Sequence, residues 1–148
     1  MMRVFAVMLL ACAGWTVNAG GGEKDAAKAD LKKLQGTWTL VSMEMDGKKA
    51  PPEAAEGIKA VVEGNKVTIS FKGEVKSAST FTVDASKKPK TMDATAVLAP
   101  NKGKKAFAIY ELDGDTFKIC TGEGNKRPAA FATKEGSGFS LMVWKRAR

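Results

Sequence analysis

The chain has 148 residues, with 24 Lys and Arg against 16 Asp and Glu, a net charge of +8, two cysteines and no histidine. That is the length of one domain. The missing imidazole excludes a Ser-His-Asp or Cys-His nucleophile, a His-ligated zinc and an imidazole general base, and two cysteines cannot make a four-cysteine zinc site.

The first segment reads as a targeting peptide. Met1-Met2-Arg3 supplies a positive start, Val4 to Gly14 an apolar run too short to span a bilayer, and Val17-Asn18-Ala19 a small-x-small cleavage site. Residues 1–19 are therefore expected to leave as a signal peptide, with export to the periplasm or the exterior and no transmembrane segment in the mature chain. Leu9-Leu10-Ala11-Cys12 also resembles a lipoprotein box, which makes lipid anchoring through Cys12 the second reading and an uncleaved anchor the third. Cleavage after Ala19 removes Cys12 and leaves Cys120 alone, so no intramolecular disulfide is expected. Within the apolar stretch Thr116 to Thr121, Cys120 reads as a small buried hydrophobe.

Residues 20–33 read as a flexible Gly20-Gly21-Gly22 tail followed by a short amphipathic helix over Glu23 to Leu34. Residues 34–148 read as one β domain, in which the pattern changes to period two after Gly36. Strands are predicted at Thr37–Met45, Ile58–Glu63, Lys66–Lys72, Glu74–Asp84, Thr91–Ala99, Lys104–Leu112, Thr116–Thr121, Ala129–Thr133 and Phe139–Arg146. Asp46-Gly47, Gly64-Asn65, Lys72-Gly73, Lys102-Gly103 and Asp113-Gly114 between them have tight-turn chemistry. Short strands joined by hairpins make an antiparallel meander. Val67, Ile69 and Phe71, then Val75, Ser77, Ser79, Phe81 and Val83, then Phe117 and Ile119, mark one apolar face per strand. That pattern suits a sheet curled on itself, which removes exposed edges. The predicted fold is an all-β, small up-and-down barrel of about eight or nine strands, with a two-sheet sandwich as the alternative.

Gly36-Thr37-Trp38, after a short helix and at the start of the first strand, resembles the G-x-W signature of the lipocalin-like (calycin) barrels. The resemblance implies that Trp38 closes the barrel base beside a cation of the last strand, a place open to Lys145 or Arg146. Longer blocks extend it: LQGTWTLVSMEMDGKK, SKKPKTMD, AIYELDGDTFKIC and RPAAFATKEGSGFSLMVWKR are similar to successive blocks of an uncharacterised family of secreted planctomycete proteins with a lipocalin-like domain. This resemblance implies a fold and a compartment, and carries no ligand, activity or functional residue.

Nothing in the chain spells out catalysis or a cofactor. Asp113-Gly114-Asp115 reads as a hairpin turn and lacks the ligand spacing of a calcium loop. Glu44, Asp46, Asp84 and Asp93 are scattered carboxylates, and no P-loop, G-x-G-x-x-G or G-x-S-x-G motif is present. No catalytic or metal-ligating residue is assigned, and a non-enzymatic protein is expected. Lysine dominates the positive charge. Nucleic-acid binders favour Arg and interleaved aromatics, whereas the arginines after the leader are only Arg127, Arg146 and Arg148, beside a single Tyr. Nucleic acid is therefore not an expected partner.

In a meander, alternate loops emerge at opposite ends. Asp46–Gly57, Lys72-Gly73, Pro100–Gly103 and Gly122–Pro128 fall at the end opposite Trp38. The lipocalin resemblance implies that this end is the open mouth, and Lys48, Lys49, Lys72, Lys104, Lys105, Lys126 and Arg127 are the candidate binding residues there. Small inward positions (Ser77, Ser79, Ala94, Ala96, Ala106, Ala108) either leave a cavity or fit the taper of a filled barrel. The expected function is binding of a small amphipathic or anionic ligand at a basic mouth. The alternative is a structural or protein-interaction module of the cell envelope with a filled barrel.

Overall fold

A computed structural model describes residues 19–147. Arg3, the apolar run, Cys12 and most of the cleavage site lie outside the described residues. In chain order the elements are α1 (Ala19–Leu34), β1 (Gly36–Met45), β2 (Lys48–Lys49), α2 (Pro52–Ala55), β3 (Ile58–Glu63), β4 (Lys66–Phe71), β5 (Glu74–Asp84), β6 (Lys90–Ala96), β7 (Lys105–Asp113), β8 (Thr116–Glu123) and β9 (Ser140–Arg146). Each strand from β3 to β9 pairs antiparallel with the next, β3 pairs with β1, and β1 pairs with β9, so eight strands close a lipocalin-like barrel. The ninth, β2, is a short hairpin arm on the end of β1, with Glu44 opposite Lys49.

The register follows the period-two pattern. Trp38 and Leu40 face inward and so does Met43, because a bulge between Leu40 and Ser42 shifts the parity. Val41 takes up the extra place and is exposed on the outer wall. Inside, Trp38, Tyr110 and Phe117 cluster, with ring centroids 5.8 Å apart for Trp38–Phe117 and 6.1 Å for Tyr110–Phe117. Leu34, Leu40, Val62, Phe81, Met92 and Trp144 complete the core. Full burial of each large apolar side chain contributes about 1.5–3 kcal/mol, which makes this cluster the main stabilising element.

The helix α1 closes one end. Its last carbonyls have no partner within the helix, and barrel side chains take them up. The Trp38 indole Nε1–H donates to the Leu34 carbonyl at 2.8 Å, and the Arg146 guanidinium donates to the carbonyls of Lys33 and Gln35. Arg146 also lies 4.4 Å from the centroid of the Trp38 ring. Gly36 has φ of +110°, where a residue with a β-carbon would be strained, and a β-carbon there would come into contact with the Arg146 guanidinium at 3.4 Å. Lys145 is exposed, and the cation over Trp38 is Arg146. A second tie comes from Asp30, almost fully buried on α1, whose Oδ2 accepts from Lys90 Nζ and from the Tyr110 hydroxyl, both at 2.8 Å.

The structure differs locally from the sequence reading. The helix begins at Ala19 and takes in Gly20–Gly22 instead of leaving them as a tail. Ala129–Thr133 is not a strand. Residues 124–139 form a strap laid over the outer faces of β7 and β8. Its apolar residues cover Cys120 and Ile109, which are outward on their strands yet 0 % and 2 % exposed. Phe71 and Ser77 have inward parity but are exposed toward the open rim, and a bulge opposite Ile69 and Ser70 turns Val75, expected inside, to the outer face.

Candidate functional site

The two ends of the barrel interior are filled differently. Near α1 the aromatic cluster occupies the section. Toward the opposite end the inward positions become small: Ser79, Ala94, Ala96, Ala106, Thr121 and Ser140. The result is an apolar chamber of about 250 Å³ whose walls include Val62, Val67, Ile69, Met92, Ile119 and Met142, with Trp38, Phe81, Phe117 and Trp144 among its aromatic lining. Above it lies a mouth of about 620 Å³ bordered by Met45, Ala96, Asn101, Lys104, Lys105, Ala106, Glu123 and Gly124. Ser79, Ala94, Thr121 and Ser140 line both spaces, so chamber and mouth adjoin at a neck carrying three hydroxyls. Most ligand sites measure roughly 300–1,000 Å³. The chamber alone is slightly smaller, and the mouth falls within that range.

Of the neck residues, the sequence marks Ser79 and Ala94 as small inward positions and gives no such mark to Thr121 and Ser140. Their signal is the continuation of period two: Thr121 follows Phe117 and Ile119 on β8, and Ser140 precedes Met142 and Trp144 on β9. Polar residues at the ends of apolar alternations mark where a lined interior meets water.

The predicted mouth cations divide into three groups. Lys104 and Lys105 border the opening itself and also a shallow groove against Gly124 and Asn125. Lys48 and Lys49 on β2, Lys72 on the β4–β5 turn and Lys126 on the strap are exposed at the same end but do not line the opening. Arg127 is turned onto the outer wall. Its guanidinium donates to the Ala108 carbonyl at 2.7 Å, pairs with the Asp93 carboxylate and lies 5.2 Å from the centroid of Phe107. There it fastens the strap to β6 and β7. Sequence spacing located the loop but not the direction of this side chain.

The strap has further anchors. The Thr133 hydroxyl donates to Glu44 Oε1 at 2.6 Å and accepts from the Gly47 amide at 2.9 Å. The Gly138 amide donates to Asp46 Oδ1 at 2.8 Å. Two of the scattered carboxylates, Glu44 and Asp46, therefore hold this loop in place. A third, Asp84, accepts from the Ser86 hydroxyl and amide, bonds that lower its carboxyl below the usual range. Asp115 in the β7–β8 turn faces the Arg146 guanidinium at 3.5 Å. Cys120 is a free thiol under the strap, its Sγ 3.7 Å from the Ala132 carbonyl, and burial pushes its pKa up. Among the described residues no group of three acidic or cysteine side chains is placed to hold a metal ion.

What the site offers is therefore an apolar lining, a ring of hydroxyls and two lysines at the exit. Comparison with models of known protein families gives no match, and comparison with curated proteins gives none either.

Proposed function

We propose that this protein is an exported, non-enzymatic carrier of a small amphipathic anion. An apolar tail enters the chamber between Trp38 and Trp144, the hydroxyls of Ser79, Thr121 and Ser140 surround the neck, and the anionic head meets Lys104 and Lys105. The observation that carries this reading is the wall that the chamber and the mouth share at Ser79, Ala94, Thr121 and Ser140. A chamber of this size suits one short hydrocarbon chain or one ring. The Arg3 start and the Val17-Asn18-Ala19 site support export, as does the resemblance of the barrel blocks to a secreted family.

A dansyl-labelled fatty acid tests the reading directly. Trp38 and Trp144 line the chamber, so a dansyl group held there quenches their emission, and unlabelled laurate reverses the quenching. Ala94→Phe, which fills the neck, abolishes it. Quenching that survives Ala94→Phe places the probe elsewhere and overturns the carrier. Native mass spectrometry of protein from its own host provides the second arm: a retained small molecule on a chain starting at Gly20 supports an exported carrier. A bare chain with a co-purifying protein instead supports an envelope interaction module.

A further inference from the structure

Most large apolar side chains of this barrel are inside, but several exposed ones gather at one place. Phe71 ends β4, Val75 is the second residue of β5 and lies on the face opposite Phe71, and Leu98 sits in the loop after β6, with exposures of 38 %, 52 % and 41 % in that order. The two segments are neighbours, because β5 and β6 are paired and the Val97 amide donates to the Ala78 carbonyl at 2.9 Å just beyond the end of β6. The same tips carry Lys72, Lys76, Lys102, Lys104 and Lys105, all exposed. Against these stands Glu74, already paired with Lys76 at 3.2 Å; Glu53 and Glu56 lie next door on and after α2. Lys72 shows how the two kinds of group combine: its ammonium sits 5.3 Å from the Phe71 ring centroid.

We infer that the β4–β5 turn and the 97–104 loop form a docking tip for an anionic membrane surface. Phe71, Val75 and Leu98 expose apolar surface on both faces of adjoining tips at one end of the barrel, and exposed apolar surface that recurs at one place marks an interaction site. A bilayer interface accommodates such a tip, because apolar side chains enter the headgroup boundary while lysine stems extend and keep their charge among anionic headgroups. The patch is basic as well as apolar, which favours an anionic bilayer over an apolar protein groove. The tip borders the mouth, since Lys104 and Lys105 belong to both. A protein seated this way opens its chamber toward the membrane. The docking surface rests on the rim and stands whether or not the chamber holds a ligand.

Vesicle flotation decides it, with the full chain recovered after any processing and the same N-terminus in every variant, so that a contribution of the leader cancels. Vesicles of phosphatidylglycerol and phosphatidylcholine in equal parts are expected to carry the protein, and pure phosphatidylcholine vesicles much less. Phe71→Asp with Leu98→Asp, and separately Lys76→Glu with Lys102→Glu, are each expected to reduce flotation by about tenfold or more. Lys87→Glu with Lys88→Glu, of equal charge change at the opposite end, is expected to leave most of it. Tryptophan emission confirms that the variants fold, and dansyl fatty-acid quenching in the Phe71/Leu98 variant reports the chamber separately. Absence of flotation with the anionic vesicles, or equal losses at the two ends, overturns the docking tip. Loss of quenching with flotation retained would instead overturn the carrier alone.

Discussion

Arg146 lies with its guanidinium 4.4 Å from the Trp38 ring centroid while donating to the Lys33 and Gln35 carbonyls at the end of α1. One cation thus joins the helix, the first strand and the last strand. Trp38 contributes from below, being 1 % exposed and bonded through its indole to Leu34. Trp38→Ala is expected to cost about 3–5 kcal/mol in urea unfolding, since it removes a buried aromatic and opens a cavity. Arg146→Met keeps much of the stem and is expected to cost less, about 1–3 kcal/mol, from the lost carbonyl partners and ring contact. A loss below about 1 kcal/mol for Trp38→Ala would show that the closed end does not depend on this residue.

The Asp30–Tyr110 contact predicts a pH dependence. Burial, with the neighbouring Asp30 carboxylate accepting its proton, raises the Tyr110 phenol far above its ordinary value of 10.0. In the unfolded chain the phenol loses its proton near 10, so the folded state holds more protons above that pH. Stability from this group is therefore complete below about pH 10 and falls as pH rises, by up to about 1.4 kcal/mol per pH unit. Tyr110→Phe removes that contribution. Unfolding free energies measured on both sides of pH 10 should show a shallower alkaline decline in Tyr110→Phe than in the parent. Equal slopes would mean that Tyr110 ionises as readily in the fold as outside it.

The barrel was legible in the sequence because its strands alternate cleanly and its turns carry Asp-Gly, Lys-Gly or Gly-Asn pairs. The closed end was legible through Gly36 and Trp38. The strap was not. Ala129–Thr133 has the composition of a short strand, and the decisive fact is tertiary: Cys120 and Ile109 are outward on their strands and require a cover. The direction of Arg127 was hidden for the same reason, since its partners at Ala108 and Asp93 are distant in sequence. At the mouth, hairpin order alone places Lys104 and Lys105, and it holds without the Ala129–Thr133 strand because the strap begins and ends at the same rim. The neck hydroxyls required knowledge of which inward positions meet the opening.

The strap makes its own prediction at Gly122. A β-carbon there would lie 1.9 Å from the Lys126 carbonyl oxygen, a distance no packing tolerates. Gly122→Ala must push the strap outward, at an expected cost of about 1–3 kcal/mol. The strap covers Cys120, so displacement should also expose the thiol. In the parent Cys120 is expected to react slowly with a disulfide reagent, being buried and with its ionisation suppressed. In Gly122→Ala the rate should rise by about tenfold or more while tryptophan emission stays native, corresponding to about 1.4 kcal/mol of local opening. An unchanged rate would show that the segment does not shield the thiol.

The mouth lysines can be separated from general basicity by comparing the two ends of the barrel. Lys104 and Lys105 border the opening, whereas Lys87 and Lys88 are exposed on the turn after β5, at the α1 end. Reversing either pair to Glu changes the net charge equally. A diffuse attraction to a basic protein would therefore weaken equally for both. If the anionic head of a dissolved fatty acid sits at the mouth, Lys104→Glu with Lys105→Glu should weaken dansyl fatty-acid binding by about tenfold, and Lys87→Glu with Lys88→Glu by far less. Glu123 on the same rim sharpens the contrast, because the reversed lysines would join an existing carboxylate. Salt gives a second axis. Attraction between exposed charges weakens as ionic strength passes about 0.15 M, where the screening length is near 8 Å, while tail burial in the chamber does not. Affinity should therefore fall with salt in the parent and in the Lys87/Lys88 variant. In the Lys104/Lys105 variant repulsion replaces attraction, so salt should leave affinity flat or raise it. Equal losses and equal salt slopes at the two ends would remove the mouth from the binding site and leave the apolar chamber as its only determinant.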